Sequence, residues 1–136
     1  MQTCNWAIAE LPGLSLPERE KFQTCGITTT QQLLSETKTA EDKAAIAGRL
    51  HLHPQHLKKW VALADLAQLP SVGCEYCGVL LHSGIASISQ LAKTPVHRLH
   101  RQILRMEVAT MQRQDLCPSV DIVQRWVREA QSSVVR

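Results

Sequence analysis

Apolar residues recur along much of this chain at the spacing of helices with one buried face. Leu57, Trp60, Val61, Ala64 and Ala67 share a face of a segment beginning at Pro54, and Val96, Leu99, Ile103 and Met106 share a face of a later one. After Ser119, the set Val120, Val123, Trp126, Val127 and Ala130 follows the same rule. Side chains three and four apart stand one above another on a helix, so each set is an inward stripe. Thr39 to Leu50 opens with a hydroxyl and two acids and closes on Arg49, the order that suits the helix dipole. Pro54 fits the first position of its helix, and Thr94-Pro95 is expected to open the next one as a cap followed by a first-turn proline. The pattern predicts an all-α chain.

Ahead of two of these stripes lie stretches that copy each other. Leu11 to Leu34 aligns without a gap on Leu69 to Ala92, at an offset of fifty-eight positions. The pairs include Leu11/Leu69, Pro12/Pro70, Phe22/Leu80, Gly26/Gly84, Ile27/Ile85, Thr29/Ser87, Gln32/Gln90 and Leu33/Leu91. Each copy reads as two short helices around a tight turn. Gly26 and Gly84 can take the left-handed conformation that closes a helix, and the isoleucine that follows can pack back on that helix. Thr29 with Gln32, and Ser87 with Gln90, have capping-box spacing, which satisfies unpaired amides at a helix start. The expectation is one domain over residues 1–136, built of halves 11–67 and 69–131.

The second half is longer in its middle. Trp60 and Trp126 stand sixty-six apart, eight more than the hairpin offset. Most of the excess should lengthen the helix after Pro95, which is expected to reach about Gln112. Asp115 to Pro118 reads as a linker and Ser132 to Arg136 as a frayed tail. Met1 to Ala9 reads as a leading segment whose Trp6 and Ile8 pack onto the first half.

The motif Leu-Pro-x-Val-Gly, a short helix, Gly-Ile, Thr or Ser, and Gln-Leu resembles the helix-hairpin-helix motif, and two in tandem resemble that superfamily's paired domain. The likeness extends to Lys59-Trp60-Val61 and Arg125-Trp126-Val127, each with an alanine three residues after the valine, and to Leu116-Cys-Pro-Ser119 before the last helix. Those features resemble a small helix-hairpin-helix-related domain family of unknown function, over roughly Leu11 to Gln131. Such a resemblance implies that hairpin tips, here Gly13, Leu14, Ser15 and Ser71, Val72, Gly73, can point backbone amides at a phosphate. Both tips depart from the superfamily pattern. Serine replaces the second glycine in one tip and the first glycine in the other, and acids, Glu18 and Glu75, follow them instead of a basic residue.

Composition narrows the classes. At 136 residues and 44% hydrophobic content, the chain can bury one core. No run reaches the roughly 18 apolar residues of a membrane span. The N-terminus lacks the basic start and apolar core of a secretion signal. Five cysteines cannot all pair internally, so a reducing, cytoplasmic setting is expected. Cys74 and Cys77 have the spacing of a metal or redox pair, but a closed zinc site needs four ligands and a redox pair belongs near a βαβ unit. Free thiols are the first reading for them, and more firmly for Cys4, Cys25 and Cys117. Metal and redox roles stand behind that reading. No cofactor is called for. No phosphate loop, nucleophile elbow or zinc-protease helix points to catalysis.

Charge is uneven. Residues 1–92 hold seven Lys/Arg and eight Asp/Glu, a net of −1, and residues 93–136 hold eight and four, a net of +4, which together make the +3 of the chain. Much of the excess is Arg98, Arg101 and Arg105, one face of a helix opposite Leu99 and Ile103, with His97 beside it. Such a stripe is a solvated face, a seat for phosphates, or a seat for an acidic protein, since guanidinium forks serve both ligands. The leading expectation is a non-catalytic protein-interaction or scaffold module. The runner-up is weak, sequence-independent binding of duplex DNA.

Overall fold

The computed structural model describes residues 3–111 and 118–134, and within them the regular structure is helical. The helices are α1 (Leu16–Thr24), α2 (Thr30–Glu36), α3 (Ala40–Leu50), α4 (Pro54–Ala67), α5 (Gly73–His82), α6 (Ile88–Lys93), α7 (Val96–Met111) and α8 (Val120–Val134).

The helix ends follow local chemistry. Cys25 and Ser83 close α1 and α5 with the same backbone, φ −89° and ψ 6° in each. The glycines beyond them, Gly26 (φ 76°) and Gly84 (φ 95°), are left-handed. The amide of Ile27 then donates to the Phe22 carbonyl and that of Ile85 to the Leu80 carbonyl, 2.9 Å in both. Phe22, Ile27, Leu80 and Ile85 are all buried, which adds the apolar clasp such an ending favours. Four residues on, Thr29 Oγ1 accepts from the Gln32 amide at 3.2 Å and Ser87 Oγ from the Gln90 amide at 3.1 Å. Thr39 caps α3 and Pro54 starts α4. His51, left-handed at φ 54°, turns the chain between them.

Packing joins both halves. α4 lies against α2, α3 and α5, while α8 lies against α6 and α7. One core cluster takes in Phe22, Leu33 and Trp60 as well as Leu80, Leu99 and Trp126. Leu99 and Ile103 are fully buried and Arg98, Arg101 and Arg105 exposed, so the two sides of α7 divide as its pattern predicts.

Two expectations need correction. Thr94 belongs to the preceding helix: it is the C-cap of α6, its hydroxyl donates to the Gln90 carbonyl at 2.8 Å, and α7 begins after Pro95. The tail, expected to fray from Ser132, is helical through Val134, and Val135 and Arg136 lie outside the described residues. Trp6 packs onto the first half: its backbone pairs with Thr30, through the Trp6 amide to Thr30 Oγ1 at 3.0 Å and the Thr30 amide to the Trp6 carbonyl at 2.8 Å, its indole Nε1 donates to the Ala67 carbonyl at 2.7 Å, and its ring also lies against Gly73 of the second half. The Cys4 backbone amide donates to the Gln68 carbonyl at 2.8 Å. The leading segment is therefore a strap from α2 to the junction of the halves. The expected end of α7 at Gln112, the start of the linker and Cys117 lie outside the described residues.

Candidate functional site

The two tips reach similar ends by different means. In the first, Leu14 is buried, while Gly13 and Ser15 are exposed. Ser15 caps α1 in a full capping box with Glu18: the Ser15 amide (3.3 Å) and hydroxyl (2.9 Å) donate to Glu18 Oε1, and the Glu18 amide donates to Ser15 Oγ. The second carboxylate oxygen of Glu18 accepts from Trp60 Nε1 at 2.9 Å. Partial burial pushes the Glu18 pKa up, but the hydrogen bonds from Ser15 and Trp60, with nearby His56, outweigh that and hold it below its ordinary value of 4.5. A hollow of about 130 Å³ lies beside this tip, lined by Pro12, Gly13 and Leu63 with Lys59 and His82 among its walls.

In the second tip Val72 is buried, and the carboxylate that engages the serine arrives from α8. The Ser71 amide donates to Glu129 Oε1 at 2.9 Å and the Ser71 hydroxyl donates to Glu129 Oε2. The Ser71 carbonyl accepts from Trp126 Nε1 at 3.0 Å. Gly73 is buried beneath the leading strap. A Cβ at Gly73 would stand 3.2 Å from Cζ2 of Trp6, and its φ of 53° is one that few other residues adopt. The backbone at this glycine is thus approached closely by the chain's own tryptophan.

These helical ends span the matched part of one family profile, that described as Domain of unknown function (DUF4332), over residues 12–133. The chain belongs to that family. No curated protein and no solved structure matches it.

In this DUF4332 chain a further carboxylate takes up a helix-start amide from a distance. Asp65 Oδ2 accepts from the Ile88 amide at 2.9 Å, at the start of α6. Burial pushes the Asp65 pKa above its ordinary 3.8, against the opposing pull of that amide. The second tip borders a larger hollow, of about 460 Å³, lined by Trp6, Glu10, Pro70, Ser71, Cys74 and Glu75 among others. Arg98, Arg101 and Arg105 line neither hollow.

Cys74 is half-buried and Cys77 fully buried, and both are free thiols, as are Cys4 and Cys25. Burial, with Glu10 and Cys4 nearby, pushes the Cys74 thiol up to about 11, and burial with Cys74 nearby pushes Cys77 up to about 12. Protonated thiols are poor nucleophiles and poor ligands. Among the described residues no three His, Cys, Asp or Glu side chains gather as a metal cluster, and no helix is long and apolar enough to cross a membrane.

Two residues central to the tips were not singled out from the sequence for their role. Glu18 had a local signal, since Ser15 to Glu18 has capping-box spacing. Glu129 had none, because it meets Ser71 across fifty-eight residues.

Proposed function

We propose that this protein is a non-catalytic interaction or scaffold module that docks another protein on the face carrying Arg98, Arg101 and Arg105. The observation that carries the reading is the state of the tips. Both tip serines have their amide and hydroxyl engaged by the chain's own carboxylates, Ser15 by Glu18 and Ser71 by Glu129. A phosphate would have to displace a carboxylate that holds the same donors and leaves its own negative charge beside the site. The paired turns, alike in cap backbone and glycine conformation, support the likeness to tandem helix-hairpin-helix proteins, with the phosphate-binding use of the tips given up. The four described cysteines, all free thiols, suit a reducing compartment.

The exposed arginines remain able to bind either an acidic protein or a phosphate backbone, which makes weak duplex binding the second reading. A quantitative pull-down, run beside a salt titration of binding to a mixed-sequence DNA duplex, separates the two. Replacing Arg98, Arg101 and Arg105 together by Glu should abolish protein capture with the fold intact. Wild-type duplex affinity should be no tighter than about 10⁻⁴ to 10⁻⁶ M at physiological salt, the ordinary non-specific range. Nanomolar duplex binding lost in the triple variant would replace the first reading with the second.

A further inference from the structure

The hollow beside the second tip has a definite chemical preference. Its charged lining is acidic, from Glu10 and Glu75, both exposed. One wall is Trp6, a partly exposed residue, and Pro70 adds an apolar edge. At about 460 Å³ it has room for a large side chain. A planar guanidinium suits such a place, because it forks onto carboxylates and stacks on an indole face. A phosphate or a carboxylate does not, since both acids would repel it.

The same chain carries the complement. Arg98, Arg101 and Arg105 are exposed along α7. Seven residues of helix separate the first from the last, about 10 Å at 1.5 Å per residue. These arginines line neither hollow of their own chain, which leaves them open to a hollow on another molecule. The acidic lining comes from the part of the chain with net charge −1 and the stripe from the part with net charge +4.

We propose that the arginine face of one copy docks on the Trp6, Glu10, Glu75 hollow of a second copy. The inference rests on the interaction role proposed above for Arg98, Arg101 and Arg105, and names the partner as this chain itself. Two different surfaces meet in this contact. It therefore propagates from copy to copy, or closes when two copies exchange it reciprocally. Exposed charge pairs are screened by salt, so assembly should weaken as ionic strength rises.

Analytical ultracentrifugation of the full chain at low and high salt tests this. The wild type should show a mass that rises with concentration above the 15.2 kDa of one chain at low salt, and falls back at high salt. The triple change R98E, R101E, R105E, and separately the double change E10K, E75K, should each leave a monomer. An equimolar mixture of the two variants should recover a dimer, because one intact stripe meets one intact hollow and the reversed pair is again complementary. Should the lysine variant not fold by circular dichroism, Glu10→Gln with Glu75→Gln removes the charge without reversing it and should likewise leave a monomer. A wild type that stays monomeric throughout, acid variants that associate like wild type, or a mixture that stays monomeric each overturns the proposal. A monomer that still captures another protein through the three arginines would sink this inference alone. Loss of that capture's dependence on the arginines would sink the broader reading.

Discussion

The first and second tips solve one physical problem with the carboxylate placed in different parts of the sequence. At an offset of fifty-eight, Glu18 corresponds to Tyr76, and at the tryptophan offset of sixty-six, Glu129 corresponds to Leu63. In the first half α1 supplies the acid, and Leu63 of α4 is buried. In the second half the last helix supplies the acid, and Tyr76 instead lies against the Trp126 ring, with centroids 5.0 Å apart. Each tryptophan keeps a hydrogen bond: Trp60 donates to Glu18, and Trp126 to the Ser71 carbonyl. What is held constant is a tip serine with its donors engaged and an indole N–H with a partner. Buried polar groups impose that requirement, and the residue that meets it is free to move.

The largest effect that would break this comparison is at the remote acid. Glu129→Ala leaves a half-buried Ser71 with both an amide and a hydroxyl unpaired, which should cost about 1 to 3 kcal/mol. Glu18→Ala removes a box around an exposed Ser15, where water can take the vacated positions, so it should cost less, about 1 kcal/mol as for other lost caps. Urea unfolding followed by circular dichroism measures both. A larger loss at Glu18 would mean that its bond to Trp60 matters more than the cap, and that the two acids are not counterparts.

This difference also marks how far the sequence can be read. The α class, the left-handed glycines at Gly26 and Gly84, the Thr29 and Ser87 caps and the exposed arginine side of α7 all rest on residues within one or two turns of each other. Periodicity and cap spacing report such neighbours directly. The Glu129 to Ser71 contact, the Asp65 cap on α6 and the Trp6 indole over Gly73 join residues brought together only by tertiary packing. No local pattern encodes them. Thr94 shows the opposite failure, since a local signal was present but ambiguous. A hydroxyl before a proline can open the next helix or close the last one, and here it bonds back to Gln90.

A middle-sized effect sharpens what the halves share. A Cβ on Gly26 or Gly84 would meet nothing within 4 Å, so any cost of substitution comes from the backbone alone. Gly26→Val and Gly84→Val should each cost on the order of 1 to 2 kcal/mol, because a β-branched residue tolerates positive φ poorly. Asn at either site should cost less, since its short polar side chain visits that region. Thermal melting of the four variants checks this. Unequal valine costs, or asparagine as damaging as valine, would show that the two turns are alike in geometry but not in their surroundings.

The smallest effect is a pH dependence whose sign differs between a local cap and a remote one. Glu18 has a pKa below its ordinary 4.5 in the folded chain, so the folded state binds fewer protons than the unfolded state there. Its contribution is present above 4.5 and is lost as pH falls through the folded value. Asp65 is shifted the other way, above its ordinary 3.8, so the folded state binds more protons. Its contribution is fully present below 3.8 and is lost as pH rises through the folded value. Acidification from pH 7 to below 4 should therefore shrink the stability advantage of wild type over Glu18→Gln, and improve the standing of wild type relative to Asp65→Asn. Urea midpoints of the three proteins across that range report both slopes. The amide variants keep the size of the side chain and an acceptor oxygen, so the difference isolates the titration from the packing. Two slopes of the same sign would mean that burial does not dominate at Asp65, and that its bond to the Ile88 amide holds the ionised form as firmly as Ser15 and Trp60 hold that of Glu18.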